Sequence, residues 1–370
     1  MKVASVSVCL CTYNRAERLA ETLAAMQAME APRECHVELL VVDNNSTDDT
    51  RAVVAAAAAR PSALKIGYTR EARQGKSFAL NHAMQQARGD VLALTDDDVI
   101  PAPDWLSRIV ETFRARDVTF VFGKVLPRWA VVPPPELLTP RARDIWGPLA
   151  LLDYGDEPAV YVAESTAQRL PIGANLAFAR AALITIGGWR TDLGKVNNTL
   201  ISGEDHEIFM RLRRHGLYGG YYDPALTVRH YVPASRLTRS YFRRWFYWHG
   251  KTQALMLDDD LFPGLDMSRV PRIAGVPRFL YRHGGQQLLK YARTLTAGTA
   301  LDVLVEELRL LKFAGLYGEC WRRALFASHF TSSIRGANLA RLPHAPSTEP
   351  VQRNAGSVSW HSVEEGAEKC

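Results

Sequence analysis

Short apolar runs alternate with stretches of helical spacing along the first third of the chain. Residues 3–11 are almost wholly apolar and bounded by polar residues, which predicts a buried parallel strand. A helix follows over residues 15–29, where Leu19, Leu23 and Met26 recur at helical spacing, and Pro32 ends it. The pattern then repeats. Strands are predicted at 37–42, 64–68 and 91–95, and helices at 47–60 (capped by Ser46 or Thr47), 77–87 and from Pro103 to about residue 116. Strands interleaved with helices imply right-handed crossovers and a mostly parallel sheet, an α/β fold.

The alternation fades after a further strand at 120–125. Residues 127–158, with Pro133-Pro134-Pro135, read as a long loop with short helical pieces, the kind of segment that forms lids or binding elements. Periodicity returns with helices at 181–186 and 203–215, a strand at 218–230, and one or two helices over 286–323. Residues 341–370 are polar and predicted to be disordered. The organisation read from this is a catalytic-type domain over 1–232, in halves 1–126 and 127–232. A basic-aromatic and helical extension over 233–340 and a tail follow.

The chain has 370 residues, 47% of them hydrophobic and 23% charged, ordinary values for a globular protein. The net charge of +6 is uneven: acids cluster in the first hundred residues, and the part after Ser235 is basic, which predicts an anionic partner there. The spacing of the five cysteines fits no zinc or redox motif, and they read as buried apolar residues of a reducing cytosol. No apolar run approaches the roughly 18 residues that span a bilayer, and the apolar start lacks a cleavage site. The expected location is cytoplasmic, or peripheral on the inner face of the cell membrane.

Candidate chemistry gathers where predicted strands end. Ligands of open parallel sheets bind at that edge. Thr12, Tyr13, Asn14 and Arg15 follow the first strand, Asp43 and Asn45 the second, and Asp96-Asp97-Asp98 the fourth. Three crowded carboxylates favour a divalent cation, Mn²⁺ or Mg²⁺, whose shell phosphate oxygens complete. A solvated acidic turn capping the next helix is the competing reading. Lys76 in Gln74-Gly75-Lys76-Ser77 stands at a helix start, where it can face an anion or simply solvent; the first glycine of a phosphate loop is missing. Glu204 and Asp205 open the helix at 203–215, either as acids favoured by its dipole or as a general base.

The ordered motifs resemble those of glycosyltransferase family two. They are Cys11-Thr12-Tyr13-Asn14-Arg15; Val41-Val42-Asp43-Asn44-Asn45-Ser46-Thr47-Asp48; Gly89-Asp90 with Asp96-Asp97-Asp98; and Pro103-Asp104-Trp105-Leu106. Gly173-Ala174-Asn175-Leu176 and Gly203-Glu204-Asp205 are similar to the family's acceptor-side motifs. The resemblance implies a GT-A nucleotide-binding fold and an inverting, hexosyltransferase-like enzyme. It would use a nucleoside-diphosphate sugar and a carbohydrate or lipid-linked acceptor, in polysaccharide, glycolipid or other cell-envelope glycan synthesis. It further implies that Thr12, Tyr13, Asn14, Arg15, Asp43, Asn45, Lys76 and Asp96 hold the donor and that Asp97 or Asp98 ligates the metal. Asp205, beside Glu204, would be the base, and Gly173, Ala174 and Asn175 would line the acceptor side. The register of the acidic triplet stays open.

The segment from Arg236 to Lys251 interleaves arginines with Tyr241, Phe242, Trp245, Phe246 and Trp248. Three readings compete: a membrane-interface helix, a diphosphate clamp, or a helix packing its aromatic face on the protein. Arg243-Arg244-Trp245 matches only a fragment of the Gln-x-x-Arg-Trp motif of processive synthases, so single-sugar transfer is expected. Three other functions fit these residues less well. A sugar nucleotidyltransferase needs a glycine-rich loop where Thr12 to Arg15 stand. A nucleic-acid-binding protein sits badly with the acidic edge, and no nucleic acid is expected as a partner. A relative that binds without catalysis would have little use for Asp205.

Overall fold

The computed structural model describes residues 3–163, 170–196, 199–259, 262 and 265–333. Residues Met1–Ala327 form one compact unit; of the second, Ser328–Cys370, only the end of a helix is described. The predicted disordered tail at 341–370 lies outside the described residues.

The first half follows the predicted alternation: β1 (Ser5–Thr12), α1 (Ala16–Gln27), β2 (His36–Asp43), α2 (Thr50–Ala58), β3 (Lys65–Arg70), α3 (Lys76–Gln86), β4 (Val91–Asp96), a short β5 (Val99–Pro101), α4 (Trp105–Ala115) and β6 (Phe120–Trp129). The periodic residues do what their spacing predicts: Leu19, Leu23 and Met26 of α1 are buried against the sheet. One cap is corrected. α2 begins at Thr50, later than Ser46 or Thr47, because Asp48 accepts from Thr50 N (3.1 Å) and Thr50 Oγ1 (2.5 Å) and sets the turn there.

Residues between β6 and β7 (Ala159–Val162) form three short 3-10 turns, then come β8 (Leu176–Ala179), α5 (Arg180–Ile186), α6 (Glu204–Arg214) and β9 (Gly219–Val232). Among the described residues, nine strands make one sheet in the order β3-β2-β1-β4-β8-β6-β9-β5, with β7 also on β9. β3, β2, β1 and β4 are parallel; β8 joins them to β6 by antiparallel pairing, and β6 and β9 are again parallel. β6 runs four residues past the strand expected at 120–125, because it resumes pairing with β9 after a bulge at Gly123/Lys124.

The C-terminal part comprises α7 (Arg239–Leu255), the small hairpin β10 (Arg272–Ile273) and β11 (Val276–Pro277), α8 (Arg278–Ala297) and α9 (Ala300–Ser333). Thr238 caps α7 by accepting from Tyr241 N. Phe242 and Phe246 are buried with Leu137, Ile145 and Leu149 from the 3-10 turns and Val305 and Leu308 of α9. Each such side chain contributes about 1.5–3 kcal/mol. Packing therefore accounts for the main aromatic face of α7, and the irregular stretch after β6 is the other wall of that core. α8 starts eight residues before the helix expected from 286. Gly284 and Gly285 weaken its sequence signal, yet Gly284 is where the Tyr317 hydroxyl of α9 packs, so close that a Cβ would lie 2.0 Å away.

Candidate active site

Parallel register sets the carboxyl ends of three strands side by side: Thr12 of β1 pairs with Asp43 of β2, and Cys11 with Asp96 of β4. A cavity of about 290 Å³ opens there, lined by Cys11, Thr12, Tyr13, Arg15, Asn44, Gln74, Lys76, Asp96, Asp97, Asp98, Lys195, His230 and Arg236, among others.

The acidic triplet is not a solvated helix cap. Asp97 and Asp98 form the tight turn between β4 and β5, only 5% and 4% exposed. Asp97 faces inward: Thr12 Oγ1 donates to one oxygen (2.8 Å), Arg15 to the other (3.0 Å), and Thr22 Oγ1 of α1 donates to its carbonyl (3.0 Å). Burial pushes its carboxyl up to about 6, against the pull of Arg15. Asp98 takes Arg15 on one oxygen (2.6 Å), and its other oxygen, Oδ1, is buried without a hydrogen bond, 3.4 Å from His230 Nε2. Burial opposes ionisation of Asp98 too, but His230, Arg15 and Arg236 outweigh it and hold the carboxyl well below its ordinary range.

Asp96 faces Lys76, whose ammonium lies 3.1 Å from its carboxylate and 3.9 Å from Glu204. Burial alone would pull Lys76 down; Asp96, Asp205 and Glu204 hold it well above its usual value. Lys76 owes its place to Asn44, whose Oδ1 accepts from Gly75 N (2.8 Å) and whose amide donates to Arg73 O (2.7 Å). Gly75 has φ +142°, a conformation few other residues adopt, and α3 starts immediately after it.

Glu204 and Asp205 begin α6 after Gly203 in the left-handed region. The dipole reading suffices for Glu207, which pairs with Arg211 at 2.6 Å. It does not suffice for Glu204. This side chain is buried, Oε2 has no hydrogen-bond partner, and burial together with Asp205 pushes the carboxyl up to about 7. Asp205 accepts from Gly173 N (2.9 Å) on Oδ2, while Oδ1 makes no hydrogen bond. A Cβ on residue 173 would sit 2.9 Å from both carboxylate oxygens, so the glycine makes room for the acid.

Other expected site residues lie elsewhere. Asp43 accepts from Tyr68 (2.8 Å) and Ser46 N (2.7 Å), Asn45 accepts from Arg70, and Asn14 accepts from Thr47 N (2.8 Å). These three knit the loops after β1 and β2 and are not among the residues lining the cavity; Glu204 and Asp205 do not line it either, and Glu204 meets it only through Lys76. Ala174 and Asn175 are buried. The Asn175 amide is fully committed, accepting from Trp105 Nε1 (2.8 Å) and donating to Lys124 O (2.9 Å) and Leu226 O (2.8 Å). His230, Lys195 and Asn44 were not singled out from the sequence. His230 arrives because β9 pairs antiparallel with β5, Val99 opposite His230, a partnership no local pattern announces. Of the basic-aromatic segment, only Arg236 enters the cavity, with Nη1 3.5 Å from His230 Nε2. Lys195 lines the cavity too, an exposed side chain whose ammonium Arg236 and Lys76 disfavour.

Among the described residues no group of three or more His, Cys, Asp or Glu is placed to hold a metal ion by itself. Asp98 Oδ1 and His230 Nε2 nevertheless offer an oxygen and a nitrogen facing each other across 3.4 Å, which a cation could take up in place of their mutual contact. That fits a hard cation that takes its remaining ligands from phosphate and water.

Residues 7–133, which supply β1 to β6 and most of this cavity, match the family model described as glycosyl transferase family 2. The chain is 27% identical over 255 residues to the succinoglycan biosynthesis protein ExoM of Rhizobium meliloti (strain 1021), covering 68% of this chain and 75% of the relative. It is 24% identical over 262 residues to a glucosyl-dolichyl phosphate glucuronosyltransferase of Haloferax volcanii, covering 70% and 78%. Among solved structures, the mannosyltransferase PcManGT from Pyrobaculum calidifontis, in complex with GDP-Man and Mn²⁺, aligns with a TM-score of 0.52 at 21% identity. The alignment covers 91% of this chain and 89% of that one, a likeness of fold. The motifs, the sheet and the family match agree: residues 7–133 carry a glycosyl transferase family 2 domain, on an α/β fold like that of the GT-A neighbour.

Proposed function

We propose that the enzyme transfers one sugar from a nucleoside-diphosphate donor to an acceptor hydroxyl with inversion. The observation that carries this reading is the cavity at the ends of β1 and β4, where Lys76 links the donor-side Asp96 to the acids that begin α6. The diphosphate lies against Lys76, Lys195 and Arg236, cations that converge on the cavity. Asp98, with His230 beside it, would hold a divalent cation, Mn²⁺ or Mg²⁺. Asp97 is the weaker candidate, since Thr12 and Arg15 occupy both of its oxygens. When bound, such an ion neutralises charge on the departing diphosphate.

Asp205 removes the proton from the acceptor hydroxyl as that oxygen attacks the anomeric carbon. The Gly173 N–H fixes one oxygen of the carboxylate, and the other, buried beside the cavity wall that Lys76 forms, has no hydrogen bond that would compete with a substrate proton. Glu204, nearer Lys76, tunes the charge of the ammonium. The names of the relatives, one in succinoglycan biosynthesis and one acting on a glucosyl-dolichyl phosphate, support a glycan or a lipid-linked saccharide as acceptor, and cell-envelope glycan synthesis is the role we propose. Among the described residues no helix is long and apolar enough to cross a membrane, and we place the enzyme in the cytoplasm or peripherally on the membrane.

A screen of nucleotide sugars by thermal shift, with and without Mn²⁺, tests the reading. Asp205→Asn is expected to abolish transfer and spare donor binding. Asp98→Asn and His230→Gln are expected to weaken Mn²⁺-dependent donor binding by tenfold or more, roughly the cost of one lost metal-site partner. Absence of any nucleotide-sugar binding would overturn the function. Equal loss of donor binding in all three variants would overturn the roles.

A further inference from the structure

The surface of the C-terminal helices has a charge pattern that catalysis does not use. Leu280, Gly284 and Gln287, spaced i, i+4 and i+7, are the buried residues of α8. The opposite side carries Arg278, Arg282, Leu289 and Arg293 in one exposed stripe, with Lys290 exposed on a flank. α8 has four Lys or Arg and no Asp or Glu in 20 residues, and none of the four forms an ion pair among the described residues. The acids of neighbouring α9 are paired with other cations, although Asp302 and Glu306 share a cavity wall with Arg293. Asp302 lies 3.6 Å from Arg141, Glu306 2.6 Å from Arg309, Glu307 2.8 Å from Arg243, and Glu319 is paired with Arg322.

Apolar side chains are exposed on the same pair of helices. Leu288 and Leu295, seven residues apart, are 57% and 58% exposed beside the cationic stripe. Trp321 and Phe326 of α9 are exposed, and Trp321 Nε1 donates to the Tyr281 hydroxyl of α8 (3.0 Å), which sets the aromatic end of α9 against the start of α8. Of sixteen large hydrophobic residues exposed among those described, seven fall within residues 272–326. A soluble protein does not gather exposed leucines and aromatics beside unpaired cations without a partner that satisfies both.

We infer that the α8–α9 face docks the enzyme on an anionic bilayer surface, cations at the headgroups and Leu288, Leu295, Trp321 and Phe326 in the interface. This moves the membrane contact away from α7, whose main aromatic face is occupied. A second copy of the chain is a poorer occupant, because two acid-free basic stripes brought face to face repel. A nucleic acid would satisfy the arginines and leave the leucines in water. The inference does not depend on which donor or acceptor the active site takes.

The test is cosedimentation of the full chain with vesicles of phosphatidylcholine alone and of phosphatidylcholine with phosphatidylglycerol, at low and high salt. Binding is expected only to the anionic vesicles and to fall with salt. Arg282→Gln with Arg293→Gln is expected to lower the partition coefficient about thirtyfold, at roughly fivefold per cation. Leu288→Ser with Leu295→Ser is expected to lower it while leaving the salt dependence in place. All four positions are exposed, and melting temperatures check that the variants are folded. Equal binding to neutral vesicles would overturn the inference. So would unchanged binding of the arginine variant, or vesicle-independent self-association or RNA binding that the same substitutions abolish.

Discussion

Replacing Gly173 by alanine isolates the placement of Asp205 from every other feature of the site. The Gly173 backbone is not in the left-handed region, so alanine adds no strain of its own. The new Cβ would stand 2.9 Å from Asp205 Oδ1 and Oδ2, where ordinary contact begins at 3.4 Å. The carboxylate is the movable partner and must retreat by the difference, about half an ångström, loosening its 2.9 Å hydrogen bond from Gly173 N. A misplacement of 1 Å costs about a hundredfold in rate, so half that distance predicts a drop of about tenfold in kcat. Gly173 does not line the donor cavity, and donor affinity is expected to stay within about twofold. Steady-state transfer assays give kcat, and calorimetric titration gives donor affinity. The double variant Gly173→Ala/Asp205→Asn is expected to be no slower than Asp205→Asn alone, because the alanine acts only through the acid. Full activity in Gly173→Ala, or independent losses that multiply in the double variant, would refute the coupling and with it the role of Asp205.

Two further outcomes follow from the buried polar groups. The Glu204 carboxyl is raised to about 7, so between the ordinary carboxylate range and that pH the folded protein keeps a proton that the unfolded chain has released. Stability therefore falls as pH rises through that window. Glu204→Gln should flatten the dependence, melting higher than the parent above pH 7 by more than it does near pH 5; parallel melting curves across pH would contradict this. Asn175→Ala strands the Trp105 N–H and the carbonyls of Lys124 and Leu226 in the core. At about 1–3 kcal/mol per stranded group, urea unfolding should show a loss of about 3 kcal/mol or more. A loss under about 1 kcal/mol would mean that water replaces the amide.

What the sequence made legible, and what it hid, divides along the range of the interactions involved. β1 to β4 could be read because each is a short apolar run whose carboxyl end carries the polar residues of the site, and parallel pairing of neighbours brings those ends together without further information. The same logic makes Asp43, Asn14 and Asn45 look like ligand contacts in the sequence. Loop residues at that edge can face the cavity or each other, and their side chains here bond across the loops. The part contributed by β9 was hidden. His230 reaches Asp98 through a strand pairing across some 130 residues, and Arg236 follows it in the next turn. The aromatic run of α7 was ambiguous for a related reason. Its amphipathic pattern states that one face needs a cover but not which cover, and the cover proved to be the irregular segment after β6 together with α9. That same segment sets Ala150 at the cavity wall. A change in the loop that backs α7 can therefore reach the active site through packing alone, which ties the C-terminal helices, and whatever surface they dock on, to the shape of the donor cavity.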